Sequence, residues 1–115
     1  MREALTSLVD LLPTFTDIAS GGTFDDYAAP HDGRSLLHLP DRNSPEDRVF
    51  IESTGESLYG PAFIMIEGAM KLVYTRSDPM MFFDTKADPL EMTNLADAPE
   101  HQAQIGRMFG VMMEH

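Results

Sequence analysis

Two short acidic motifs contain side chains that could take part in catalysis or metal binding. His31-Asp32 has the composition of a metal-binding pair, or of a general base with its orienting carboxylate, but the sequence places no third ligand nearby. Asp25-Asp26 could contribute to a calcium site, although such a site needs roughly six to eight oxygen ligands. We therefore interpret both motifs as surface turns and predict no catalytic residue and no metal ligand in this chain.

Lys71 and the absence of cysteine further limit the kinds of site that this chain could form. Lys71 could bind an anion, but a single lysine among apolar strand neighbours usually carries its amine to the surface, so a structural role is favoured. The sequence has no cysteine, which excludes disulfides, thiolate zinc sites and cysteine nucleophiles. This composition is typical of a reducing compartment.

The chain is strongly acidic. Its 115 residues include 8 Lys and Arg against 19 Asp and Glu, a net charge of -11. Such a charge repels phosphate backbones and anionic headgroups, so we expect neither nucleic acid nor a membrane surface as partner. No apolar run approaches the roughly 20 residues that span a bilayer, and the first residues lack the pattern of a secretory signal. We predict a cytoplasmic protein.

The first part of the chain predicts one short helix and then a long irregular connection. Apolar residues recur at helical spacing over 11–19, after Asp10, a residue type that caps helices, and before Gly21-Gly22, which ends them. The segment before this helix, residues 3–9, reads as extended. From 21 to 47 the sequence is rich in Gly, Pro, Asp, Asn and Ser, which is typical of an irregular connection.

The second part predicts a sheet and a closing helix. Short apolar runs separated by turn residues indicate an antiparallel meander of three or four strands. The runs are 49–51, 62–66, 70–75 and 80–83. A helix then starts near Asp97-Ala98-Pro99-Glu100, with apolar residues on one face at Ile105, Met108, Phe109, Met112 and Met113. We predict an α+β fold in one domain, 1–115, divided into 1–20, 21–47 and 48–115.

Three stretches of the sequence resemble the end of the sulfatase family. Residues 7–14 (SLVDLLPT), with Asp17 and Ala19 behind them, are similar to a segment that closes the catalytic domain of that family. Residues 32–37 (DGRSLL) resemble the element that follows. The most specific match is the closing stretch, which consists of Gly68-x-x-Lys71-Leu72, Phe83-Asp84 and the C-terminal motif 88–96 (DPLEMTNLA). The spacing around 52–65 and 77–84 is more similar to choline sulfatases than to arylsulfatases.

The resemblance implies a C-terminal subdomain, with residues 1–20 as a remnant of the large domain. Sulfatases hydrolyse sulfate esters with a formylglycine made from Cys or Ser in a C/S-x-P-x-R motif, beside a calcium ion, and both belong to their large N-terminal domain. Here residues 77–81 lack the arginine, and residues 44–48 have the proline one position early. We therefore expect no cofactor in this chain, calcium only in the large domain, and no hydrolysis by this chain alone.

The choline-sulfatase resemblance also implies candidate substrate-binding residues. A quaternary ammonium group is held by carboxylates and aromatic faces, and Glu56, Glu52 and Tyr59 lie in the segment that would face the active-site mouth of a full-length relative. The alternative is a solvated loop. Relatives often carry arginine where this chain has Ile66 and Glu67, so a sulfate-binding role for that turn is not expected.

Two functions from different classes remain open. The chain is either the C-terminal part of a choline-sulfatase-like hydrolase, partnered by a separate catalytic domain, or an independent acidic binding or oligomerisation module derived from a sulfatase tail. In both cases we expect exposed apolar surface and association, most simply as a homo-oligomer.

Overall fold

The computed structural model describes residues 4–22, 33–39, 44, 46–54 and 60–115. It divides into two compact units, Met1–Asp47 and Arg48–His115, which are described in turn. The predicted turns at Asp25-Asp26 and His31-Asp32, and the site candidates Glu56 and Tyr59, lie outside the described residues.

The first unit is built around one short helix. A 3-10 turn, Leu8–Asp10, leads directly into helix α1, Leu11–Ser20, which ends at Gly21 in the left-handed conformation with φ 67°. The predicted helix is therefore confirmed, but the expectation of an extended segment up to residue 9 is wrong at Leu8 and Val9. Asp10 does not cap α1, because its carboxylate reaches back to the 3-10 turn and accepts the Ser7 N–H at 2.8 Å.

Helix α1 buries its polar side. Thr14 and Asp17 are buried, whereas Phe15 is 63% exposed and Ile18 is 59% exposed. The polar side is buried because it binds a second 3-10 turn, Leu36–His38, and the residue just before it. The Thr14 hydroxyl donates to the Asp10 carbonyl at 2.6 Å and accepts the Leu36 N–H at 2.9 Å. The apolar stripe that the sequence predicts thus faces solvent.

The second unit is a four-stranded antiparallel sheet in the order β1-β2-β3-β4, which confirms the α+β prediction. The strands are β1 Arg48–Ser53, β2 Ala62–Glu67, β3 Met70–Thr75 and β4 Met81–Asp84. The register places Phe50, Met65, Leu72 and Phe82 in one row across all four strands. Since side chains alternate between the faces of a sheet, this row defines the core face.

Helix α2, Gln102–Glu114, covers the core face of the sheet. It starts later than predicted, because residues Pro99–His101 form a 3-10 turn instead of its first turn. Met108 is the fully buried residue of the helix, while Phe109 is only half-buried and meets Tyr74 edge-on at 5.2 Å between ring centroids. The buried core cluster consists of Met65, Leu72, Phe82, Ile105, Met108 and Met112.

Candidate functional site: a cleft beside the first strand

An apolar cleft of about 220 Å³ lies between the first two strands and the end of α2. Glu52 contributes its one carboxylate among the described residues, and the chain's last residue, His115, closes one side. The lining residues are Phe50, Ile51, Glu52, Phe63, Ile64, Met112, Met113 and His115. A cleft with an apolar wall and one carboxylate suits a small ligand that is partly apolar and carries positive charge.

Two of the rings that line this cleft, Phe50 and His115, are already engaged. Phe50 stacks on His115 with 4.0 Å between ring centroids and 9° between the ring planes. The Arg48 guanidinium lies 5.8 Å from the Phe50 ring centroid, a cation–π distance. Phe50 therefore holds a cation of the chain itself.

Glu52 is the one predicted site residue that the structure describes. It is exposed near the end of β1, and no other described residue forms a hydrogen bond or ion pair with its carboxylate. Glu56 and Tyr59 lie outside the described residues, so a binding site that they form with Glu52 stays a prediction. Sequence reasoning missed the contribution of Met112, Met113 and His115 to the cleft, because strand and helix periodicity do not show which end of a helix meets which strand.

A serine, an aspartate and a histidine converge in the first unit without the geometry of a catalytic triad. The Ser35 hydroxyl donates to the Asp17 carboxylate at 2.7 Å, and His38 Nε2 lies 3.2 Å from the same carboxylate oxygen. In a triad the histidine stands between the nucleophile and the acid, so that it can take the proton of the nucleophile. Here the carboxylate stands between the other two, and it ties the 3-10 turn Leu36–His38 to α1.

The segment 32–37, which resembles a sulfatase element, also has a structural role where it is described. The Asp10 carboxylate accepts the Arg34 N–H at 3.0 Å. Gly33 packs against the 3-10 turn so closely that an added Cβ would lie 2.1 Å from the Val9 carbonyl oxygen. A glycine is required at this position by the close approach of the two backbones.

The C-terminal motif 88–96 fastens a loop to the sheet. Lys71 on β3 forms an ion pair with Glu91, at 2.7 and 2.9 Å to the two carboxylate oxygens. Glu91 has φ 54°, a left-handed conformation that is uncommon for a residue other than glycine. Lys71 therefore holds a strained turn instead of presenting an open anion site.

The same loop covers the outer side of β4. The Asn94 side-chain oxygen accepts the Phe82 N–H at 2.9 Å, and the Leu95 N–H donates to the Phe82 carbonyl at 2.8 Å. At the end of β4, the Asp84 carboxylate accepts the N–H groups of Ala87 and Lys86, which lowers the pKa of Asp84. The Asn94 amide of this motif and the neighbouring Asp84 carboxylate thus bind backbone groups, while Glu91 binds Lys71.

Arg107 on α2 pairs with Glu67 at the end of β2. Arg107 Nη1 donates to Glu67 Oε2 at 3.0 Å, and Arg107 Nη2 donates to Glu67 Oε1. This pairing raises the pKa of Arg107. Glu67 thereby links the β2–β3 turn to the helix that covers the core.

Within the ranges given above, no group of three or more His, Cys, Asp or Glu side chains is arranged to hold a metal ion. No helix in that part of the chain is long and apolar enough to cross a membrane.

Comparisons with known proteins point to sulfatases. A choline-sulfatase from Rhizobium meliloti (strain 1021) is 38% identical over 94 residues, which are 82% of this chain and 18% of the relative. No family model matches the sequence. The chain therefore spans less than a fifth of the length of this curated relative.

Two solved structures share the fold. One is a protein in complex with its substrate D-glucosamine-2-N,6-O-disulfate, with a TM-score of 0.71, 23% identity, and coverage of 98% of this chain and 24% of that chain. The other is described as a sulfatase from Bacteroides thetaiotaomicron, with a TM-score of 0.69, 24% identity, and coverage of 91% of this chain and 23% of that chain.

The fold, the three motifs and these matches together identify a sulfatase C-terminal subdomain. Within the sulfatases, the sequence similarity is to a choline-sulfatase.

Proposed function

We propose that this chain is the C-terminal portion of a choline-sulfatase-like sulfuric ester hydrolase and is not catalytic by itself. The observation that carries the proposal is the 38% identity to a choline-sulfatase, which extends over 82% of the chain. The formylglycine and the calcium ion of the family would come from the large catalytic domain. Because a sequence without cysteine is typical of a reducing compartment, we place the protein in the cytoplasm.

The exposed stripe of α1 is the surface that we assign to contact with the catalytic domain. Large apolar side chains on one helix face are rarely left in water by a stable monomer. The exposed members of the stripe are Leu11 at 40%, Leu12 at 50%, Phe15 at 63% and Ile18 at 59%. The polar side of the helix is fully used by its own unit, so the apolar side is the one available for a partner.

We assign the cationic group of the substrate to Glu56 and Tyr59, with Glu52 nearby on β1. The assignment rests on the choline-sulfatase match and on the exposed Glu52 carboxylate beside an apolar cleft.

In the complete enzyme, Glu56→Gln should raise KM for choline sulfate, and should leave KM for a neutral aryl sulfate near the wild-type value. Glu100→Gln, at an exposed carboxylate in the turn before α2, is the control and should change neither constant. An equal change for both substrates would contradict the assignment.

A second function, an independent oligomerisation module, is favoured by the same exposed stripe, because a second copy could cover it instead of a catalytic domain. Both functions fit a chain with a net charge of -11, which disfavours nucleic acid as a partner.

The coding sequence upstream of residue 1 distinguishes the two functions. We expect an adjacent or continuous reading frame that encodes a C/S-x-P-x-R motif and the acidic calcium ligands of a sulfatase catalytic domain. A neighbourhood without such a frame would contradict the hydrolase proposal and would leave the independent module.

A further inference from the structure

The two edges of the sheet are protected differently. The outer side of β4 is covered by residues 94–95, which bond to both backbone groups of Phe82. β1 is the other edge strand. Among the described residues, β1 has hydrogen-bonding neighbours on β2 alone. Every second residue of an edge strand turns its N–H and C=O outward, where another strand can pair with them.

The sequence of β1 lacks the backbone devices that block such pairing, and its two charged residues, Arg48 and Glu52, are of opposite sign. Its six residues, Arg48–Ser53, include no proline, no glycine and no bulge, and their register with β2 is unbroken. The centre of the strand, Val49-Phe50-Ile51, is apolar, and Ile51 is 42% exposed. A straight apolar edge of this kind is a template for strand addition.

The charges of β1 select one particular partner strand. Arg48 and Glu52 lie two residues before and two residues after Phe50, on the same face of the sheet. Glu67, which stands opposite Arg48 on β2, is occupied by Arg107, and no described residue pairs with Glu52. An antiparallel copy of the same strand, centred on Phe50, would place Arg48 opposite Glu52 of the second copy at both ends.

We propose that β1 pairs with β1 of a second copy of this chain, antiparallel and with Phe50 opposite Phe50. The two four-stranded sheets would then form one continuous sheet of eight strands with a two-fold axis at Phe50. Two cross-strand ion pairs would flank the axis, and directly opposite charges in a sheet are favourable while like charges are unfavourable. The pairing would also cover the exposed Ile51 with Val49 of the second copy.

This surface is distinct from the α1 stripe, and the proposal does not depend on the hydrolase function. Because each copy carries a net charge of -11, long-range repulsion opposes dimerisation. Added salt screens this repulsion and should therefore strengthen dimerisation. The short-range ion pairs between Arg48 and Glu52 determine the register of the two β1 strands despite this repulsion.

Charge reversal of the full 115-residue chain tests the register directly. Arg48→Glu and Glu52→Arg each create two like-charge pairs across the axis, and each should weaken dimerisation about tenfold in sedimentation equilibrium. The double variant exchanges the two charges, restores both attractive pairs and should return the dimerisation constant to within about threefold of the wild-type value. Arg76→Glu, at an exposed position after β3, makes the same change in net charge as Arg48→Glu and should not affect dimerisation beyond the general repulsion.

Circular dichroism of each variant establishes that the sheet is intact. A chain that stays monomeric up to high micromolar concentration would overturn the proposal. So would a dimer that is insensitive to both single reversals, since the interface would then lie elsewhere, for instance on α1. A double variant no tighter than the single variants would also overturn it, because the register would be wrong.

Discussion

Replacing Phe82 with alanine is expected to lower the free energy of unfolding of the sheet unit by about 3 to 5 kcal/mol. Phe82 is 0% exposed, lies in the row that crosses all four strands, and packs against the His101 ring with 5.6 Å between centroids. Its loss would leave a cavity among large side chains that cannot all move inward. A small domain has a total stability of only about 5 to 15 kcal/mol, so the loss would be a large share.

Two other phenylalanines provide matched comparisons for urea denaturation followed by circular dichroism. Phe15→Ala should leave the midpoint near that of the wild type, because the ring is 63% exposed on α1 and belongs to the other unit. Phe109→Ala should fall between the two, since that ring is half-buried against Tyr74. A midpoint for Phe82→Ala that matches the one for Phe15→Ala would contradict the core described above.

The sheet and α2 could be predicted from the sequence because their pattern is local. Alternating apolar runs with short turns determine strand neighbours, and the helical spacing from Ile105 to Met112 identifies the buried face. The pattern does not show depth, however. It places Met108 and Phe109 on the same apolar face, whereas in the structure Met108 is fully buried and Phe109 is half-buried.

The orientation of α1 could not be predicted in this way. A helix with an apolar stripe is ordinarily expected to bury that stripe. In this chain Thr14 and Asp17 bind segments that are more than 15 residues away in the sequence, and these bonds turn the polar side inward. Long-range polar contacts leave no periodic signal, so the sequence identifies the stripe but not what covers it.

Of the three predicted site residues, the structure describes Glu52, and its role in a site stays a prediction. Glu52 follows from the family resemblance, and the structure places it beside an apolar cleft. The C-terminal motif shows the opposite outcome, because residues with the chemistry of ligands, such as Glu91 and Asn94, are bound to Lys71 and to the backbone of Phe82. The loop that positions them has a left-handed backbone conformation at Glu91, and a glutamate in the sequence does not predict this conformation.

We predict that this chain does not hydrolyse sulfate esters. No serine lies in a C/S-x-P-x-R motif and there is no cysteine, so no residue can become the formylglycine nucleophile. The described histidine and serine side chains near Asp17 lack the order that a hydrolytic triad needs. Without such a nucleophile, the covalent route to hydrolysis is closed to this chain.

Sulfate release from choline sulfate by the purified 115-residue chain, with and without added calcium, tests this claim most directly. We expect release at the rate of the buffer control under both conditions, for choline sulfate and for an aryl sulfate alike. Sulfate release above the control that persists through repeated purification and depends on calcium would contradict the assignment of this chain as a non-catalytic sulfatase subdomain.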